Sequence, residues 1–159
     1  MAAFGALGAK LYTSATALVD IAGSADAIGD FTGLTIATEV GLIDNFGEYG
    51  RVYDPVTFQA VSDGRTYKLK GGYNDGSIAL TMGQDLSDAG QALLKSYGEA
   101  SNQNTYPFKI TLVGAHANFD TIYFGALVMS FRSQMGAVNN VVKALVTLEI
   151  NTTIFTGAA

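Results

Sequence analysis

The sequence predicts a mainly β chain: an antiparallel β-sandwich or half-open barrel with one α-helix at about residues 88–98, a long exposed loop and terminal arms. Three observations lead there. Apolar and polar residues alternate in short runs along most of the chain. Nineteen glycines punctuate those runs, as many tight connections require. Helical spacing bounded by caps occurs at one place only.

The first run covers 10–15 and is followed by a Gly-, Ser- and Asp-rich loop at 23–33. Over 35–43, Ile36, Val40 and Leu42 fall on one side and Thr35, Ala37, Glu39 and Gly41 on the other, a half-buried strand. Residues 44–55 mix turn formers with Phe46, Tyr49 and Tyr53, so an exposed loop at 44–54 that carries aromatics is a contact candidate. Runs at 56–62 and 65–70 flank Asp63-Gly64, a pair suited to a hairpin turn that needs positive φ at both central residues. A connection at 71–76 leads to a run at 77–82. Tyr67 and Leu69 oppose Thr66, Lys68 and Lys70, while Ile78, Leu80 and Met82 oppose Ser77, Ala79 and Thr81, so each strand should have one dry face and one wet face.

The helix spans 89–97. Asp88 fits the N-cap, Gln91 can return the bond of a capping box, and Gly98 fits the C-cap. Leu86, Ala89, Leu93 and Tyr97, with Leu94 beside them, make its apolar face, which should lie across a sheet. Beyond it, 106–113 alternates again, and Pro107 places its beginning at an edge. The run 119–132 is apolar on both faces and needs cover on both. The last, 141–151, sets Val142, Ala144, Val146, Leu148 and Ile150 against Lys143, Thr147, Glu149 and Asn151, a polar face that suits water.

The length fits one domain, 1–159. Charged residues are 14% of the chain against about 25% in an average soluble protein, and apolar residues are 48%. A surface so short of charge points to cover by other subunits. The net charge of −5 and the scatter of nine basic residues argue against tight nucleic-acid binding, which needs massed Lys and Arg. The same acidity suits a conduit that DNA crosses without sticking. No cysteine is present, so disulfides and thiolate metal sites are excluded. Residues 1–23 lack the basic start of a signal peptide, and no run approaches a membrane span of about 18 apolar residues, so no membrane partner is expected.

No constellation for catalysis stands out. His116 is the single histidine and lies in a turn-like Gly114-Ala115-His116-Ala117-Asn118, with no nucleophile motif nearby. Asp85 and Asp88 could pair as carboxylates, but helix capping accounts for both. Asp20, Asp26 and Asp30 lack the spacing and closing Glu of a calcium loop. Gly71-Gly72 and Gly5-Ala6-Leu7-Gly8 lack the Lys-Ser/Thr of a phosphate loop. The expectation is a non-enzyme without metal or cofactor.

The order of parts is itself informative: early strand, aromatic loop, Asp-Gly hairpin, run 77–82, the helix opening Asp88-Ala89-Gly90-Gln91, then long strands ending in Val146-Thr147-Leu148-Glu149-Ile150. In this order the chain resembles the major tail tube protein of long, non-contractile-tailed bacteriophages, over nearly its whole length. The resemblance implies a virion protein of the phage tail, assembled in the host cytoplasm, whose hexameric rings stack into a hollow tube that conducts DNA. Six copies at −5 each would total −30 per ring. It implies tape-measure, tail terminator and distal tail proteins as partners. It also implies ring-stacking contacts from the arm 1–8, the loop 44–54 (Phe46, Tyr49, Arg51 and Tyr53) and the arm 152–159, with Glu39 and Glu149 facing the lumen. Two alternatives stand beside it: the inner tube of a contractile tail or type VI secretion system, and, in a different class, a monomeric ligand-binding β-barrel resembling a lipocalin.

Overall fold

Short alternating runs do become strands, and their pairings are antiparallel throughout. The structure, a computed structural model, describes residues 3, 5–19, 27–113 and 120–157. Its strands are β1 (Lys10–Thr13), β2 (Thr38–Val40), β3 (Ile43–Asn45), β4 (Val52–Gln59), β5 (Thr66–Asn74), β6 (Ser77–Gly83), β7 (Tyr106–Thr111), β8 (Thr121–Gln134), β9 (Lys143–Ile150) and β10 (Phe155–Gly157). Among the described residues two helices join them, α1 (Ile28–Thr32) and α2 (Ala89–Tyr97).

The main sheet runs β2-β1-β7-β8-β9-β6-β3, and β10 adds to the early half of β8. Its edge strands, β2 and β3, are far apart in strand order yet separated in sequence by Gly41 and Leu42 alone. The sheet must therefore roll until its two edges meet at that corner, which gives the half-open barrel. Leu42 turns the corner at φ 59°, and its carbonyl accepts the Gly83 N–H of β6 at 2.8 Å.

The concave face holds the core. Leu11, Ile78, Leu80, Met82, Phe108, Phe124, Val146 and Leu148 are buried there at alternate strand positions. Helix α2 closes the mouth with Leu94 and Tyr97, the Tyr97 ring stacked on Tyr106 at 3.6 Å and its hydroxyl donating to Ser14 O at 2.7 Å. A second, smaller cluster lies on the convex face: Phe31, Ile36 and Tyr123, joined by Tyr12, Ile28 and Phe155. Helix α1 thus covers the first half of β8 through Phe31, with Phe155 of the in-sheet neighbour β10 beside Tyr123 on the same face, which is why that strand is apolar on both faces.

Several expectations change. The run 35–43 is broken into β2 and β3, with Ile36 in the convex cluster, Val40 in the core and Leu42 exposed, because the corner intervenes. The loop 23–33 contains α1. The turn at Asp63-Gly64 is wider than two residues: β4 ends at Gln59 and β5 starts at Thr66, and of the pair only Gly64 has positive φ, 66°. Residues 71–74 continue β5 instead of linking it. Pro107 lies on an interior strand, just beyond the last β1 partner of β7, where no ladder bond is lost. Cover of 119–132 on both faces extends from Thr121 through Val128; at Met129, which is exposed, the ladder to β9 shifts register, and beyond it Phe131 still packs against the core on one face. Leu86 is 87% exposed, and the buried face of α2 is Gly90, Gln91, Leu94 and Tyr97. Asp88 caps α2 through Gln91 N–H, but the Gln91 side chain turns away and completes no capping box. His116, Asp20 and Asp26 fall outside the described residues.

Candidate functional site

Strands β4 and β5 pair with each other and, among the described residues, belong to no larger sheet. Every residue of β4 is exposed, and so is all of β5 apart from Gly71. An isolated two-stranded ribbon is marginal in water. This one also carries large apolar side chains, so its sequence is at odds with its exposure. The expected dry face of β5 is, in the single chain, wet.

Register sorts the ribbon into two faces. Val56 is opposite Leu69 and Phe58 opposite Tyr67, which places these four on one side with Val52 further down β4. Phe58 and Leu69 are 65% and 69% exposed. The opposite side pairs Thr57 with Lys68 and Pro55 with Lys70. Tyr53, two residues before Pro55, is on that second side, where Lys70 Nζ lies 4.8 Å from the centre of its ring, and the register shift, one extra residue on β5 between Lys70 and Tyr73, brings Tyr73 there as well. One face is apolar; the other is cationic and aromatic.

The ribbon's base is anchored to the sheet. Arg51 donates from Nε to Asp75 Oδ1 at 2.8 Å and from Nη2 to Asp75 Oδ2 at 3.4 Å, and Nη2 also reaches Thr153 Oγ1 at 3.3 Å. Its guanidinium lies 4.1 Å from the centre of the Tyr73 ring. The Asp75 hydrogen bond, chiefly, pushes the Arg51 pKa further above its already high ordinary value. At the tip, Tyr67 Oη donates to Asp63 Oδ2 at 2.7 Å, which holds the Asp63 carboxyl below the usual aspartate range.

The residues singled out from sequence separate in the structure. Arg51 and Tyr53 belong to the ribbon base and Tyr49 is exposed beside it, whereas Phe46 is half-buried against the core. Glu39 and Glu149 share the convex face of the sheet: register links Glu39 to Tyr12, Tyr12 to Lys109 and Lys109 to Tyr123, while Leu127, four residues along β8, is opposite Glu149. Glu39 pairs with Lys10 Nζ at 3.3 Å. In the arm 152–159, Phe155–Gly157 form β10, and Thr152 Oγ1 accepts Gly125 N–H at 2.8 Å. Val56, Phe58 and Leu69 were missed as contact residues, because alternation reads the same whether the cover is internal or comes from another chain.

Elsewhere, a shallow pocket of about 220 Å³ between the start of α2 and the end of β8 is lined by Gln84, Leu86, Lys95 and Phe131. Among the described residues no three His, Cys, Asp or Glu side chains gather, and no helix is long and apolar enough to cross a membrane.

No protein-family profile and no curated protein matches the chain. Solved structures match its fold closely. A chain in the sheath/tube terminator of the PVC extracellular contractile injection system superposes with a TM-score of 0.67 at 12% identity, over 98% of this chain and 96% of that one. A chain of the PVC sheath-tube complex gives 0.64 at 12% identity, over 99% and 93%. The SPP1 tail tube gives 0.59 at 15% identity, over 99% of this chain and 80% of that one. The chain therefore has the fold found in these tube assemblies.

Proposed function

We propose that this chain is a non-catalytic structural subunit that polymerises with its own copies into the hollow tube of a phage tail or tail-like particle. The observation that carries the reading is the β4–β5 ribbon, whose apolar face has no cover among the described residues. A second copy supplies that cover at no cost in new chemistry. The fold likeness to tube assemblies, extending over almost the whole chain, supports the same reading.

In the finer form of the proposal, hexameric rings stack through the ribbon and the segment before it, edge strands extend the sheet from subunit to subunit, and DNA passes through the lumen unbound. Glu39 and Glu149, on one face of the sheet, look into that lumen. The particle's tape-measure, terminator and distal tail proteins are the further partners, assembly takes place in the host cytoplasm, and no enzyme activity or cofactor is involved. Contractile and non-contractile systems are told apart by whether a sheath surrounds isolated particles. A lipocalin-like role is disfavoured by the core, since the concave face is filled by its own side chains and by α2.

Electron microscopy of the purified chain at rising concentration tests the proposal. Rings or tubes are expected. A monomer that stays monomeric at millimolar concentration overturns it.

A further inference from the structure

The charges of the chain are unevenly divided. Residues 51–75, the ribbon with its base, hold four basic residues (Arg51, Arg65, Lys68 and Lys70) against three acidic (Asp54, Asp63 and Asp75), a net of +1. The rest of the chain holds five basic against eleven acidic, a net of −6. Of the four cations only Arg51 is in an ion pair; Arg65, Lys68 and Lys70 have none among the described residues. Lys68 and Lys70 project from one face of the ribbon with no carboxylate on that face, since Asp54 alternates to the apolar side and Asp63 lies in the turn.

Resting on the assembly reading above, we propose that the cationic face of the ribbon docks on the acidic body of a second copy of this chain, so that ionic strength governs assembly without governing folding. The apolar face alone would make association insensitive to salt, or strengthen it as salt rises. A cationic ribbon approaching a body of opposite sign is drawn in and oriented at low salt and released as screening shortens the reach of the attraction. The absence of an ion pair at Lys68 and Lys70 among the described residues is what such a surface requires: their carboxylate partners belong to another copy. The acceptors on the body are exposed carboxylates outside the chain's own ion pairs, of which Glu48 and Glu99 are examples.

The test uses the full chain and its Lys68→Glu/Lys70→Glu variant, with assembly followed by sedimentation and light scattering between 50 and 500 mM NaCl, roughly the range over which the screening length falls from about 14 Å to about 4 Å. The critical concentration of the wild-type chain should rise by about tenfold across that range. The variant should keep the wild-type melting temperature, assemble about tenfold less readily at low salt, and show the opposite salt dependence, because its acidic ribbon is repelled by the acidic body and salt screens that repulsion. Tubes whose critical concentration responds neither to salt nor to the double substitution would overturn this inference while leaving the assembly reading intact. No assembly in any condition would overturn the assembly reading itself. A 20-base DNA duplex serves as the probe for the rival occupant: micromolar binding at 150 mM NaCl that depends on Lys68 and Lys70, with salt-independent assembly, would assign this face to nucleic acid instead.

Discussion

Asp88, Gly90 and Gln91 hold the corner where the sheet's two edges meet. Asp88 Oδ1 accepts Gln91 N–H at 2.8 Å as the cap of α2, while its Oδ2 accepts Gly41 N–H at 3.2 Å. The Gln91 amide donates to Gly41 O at 3.1 Å and Gly83 O at 2.8 Å, and its carbonyl accepts Asp85 N–H at 3.0 Å. Gly90 packs so tightly on the backbone of Glu39 and Val40 that any Cβ would displace β2. The Asp88 cap and the helix start were legible in the sequence because they are local. The bonds from Gln91 to Gly41 and Gly83 were not, because they depend on strands meeting only once the sheet has rolled. Gln91→Ala should cost about 2–4 kcal/mol, since it strands two carbonyls and an N–H in a partly buried corner, and urea denaturation measures it. Gln91→Glu should be at least as damaging at pH 7, where a carboxylate faces two carbonyls, and should recover part of the loss as the pH falls and the group protonates. At the ribbon tip the sign is the reverse. Asp63 is held below its ordinary value of 3.8, first by Tyr67 and then by the Arg65 N–H, so its contribution is complete above that value and is lost as the pH falls through the lowered one. Chemical shifts of Tyr67 should therefore be flat from pH 7 to 5 and move only in more acid solution. A midpoint at or above 3.8 would contradict the hydrogen bond.

At the scale of elements, the two hairpin strands and the strands of the sheet have the same sequence character and opposite surroundings. Ile78, Leu80 and Met82 on β6 alternate as Val56, Phe58, Tyr67 and Leu69 do on the ribbon, yet the first three are buried and the four are not. Period-two patterning records that one face is to be dry; it carries no information on which molecule dries it. That is why the strands themselves, and the helix between them, could be read from the sequence while the detachment of β4–β5 could not. The corner also hid β2 and β3 inside one apparent run, and α1 lacked both the length and the apolar periodicity to stand out at five residues. The consequence is a substitution set that separates folding from assembly. Phe58→Ser with Leu69→Ser removes apolar surface that is mostly in water in the single chain, so the melting temperature should move by no more than about 2 °C. Each of these side chains would gain roughly 1–2 kcal/mol from cover by a second copy, so the double variant should raise the critical concentration for assembly at least about tenfold. Calorimetry and sedimentation on one sample give both numbers. An unfolded variant would mean that the ribbon folds back on its own sheet.

Considered as a whole, the molecule is a rolled sheet with a separable appendage, and that division can be tested by cutting. The segment leading into the ribbon is a poor place for the cut. Gly47, at φ 71°, lies against the backbone of Ala79 so closely that a Cβ would meet the Ala79 carbonyl at 2.7 Å, and Arg51 ties the segment to Asp75 and Thr153. Removing 47–52 would strip the outer edge of β6 as well as altering assembly. The ribbon proper is different, because among the described elements its strands have each other as their only substantial partner. Val52 is opposite Asn74, so the chain ends left by deleting 53–73 are adjacent strand positions that a two-residue Asn-Gly turn can close. The shortened chain keeps every residue of both apolar clusters. It should fold cooperatively, with a melting temperature within about 5 °C of the intact protein, because the loss is confined to surface that stabilises the single chain little. It should remain monomeric at concentrations where the intact chain forms tubes, and, because it keeps the body on which a ribbon docks and has no ribbon to pass on, it should shorten the tubes when mixed at equal amounts. If instead the shortened chain polymerises as readily as the full one, stacking resides in the sheet edges and the terminal arms, and the ribbon's apolar face needs another occupant. If it fails to fold, β4–β5 is part of the folding unit and not a separable appendage.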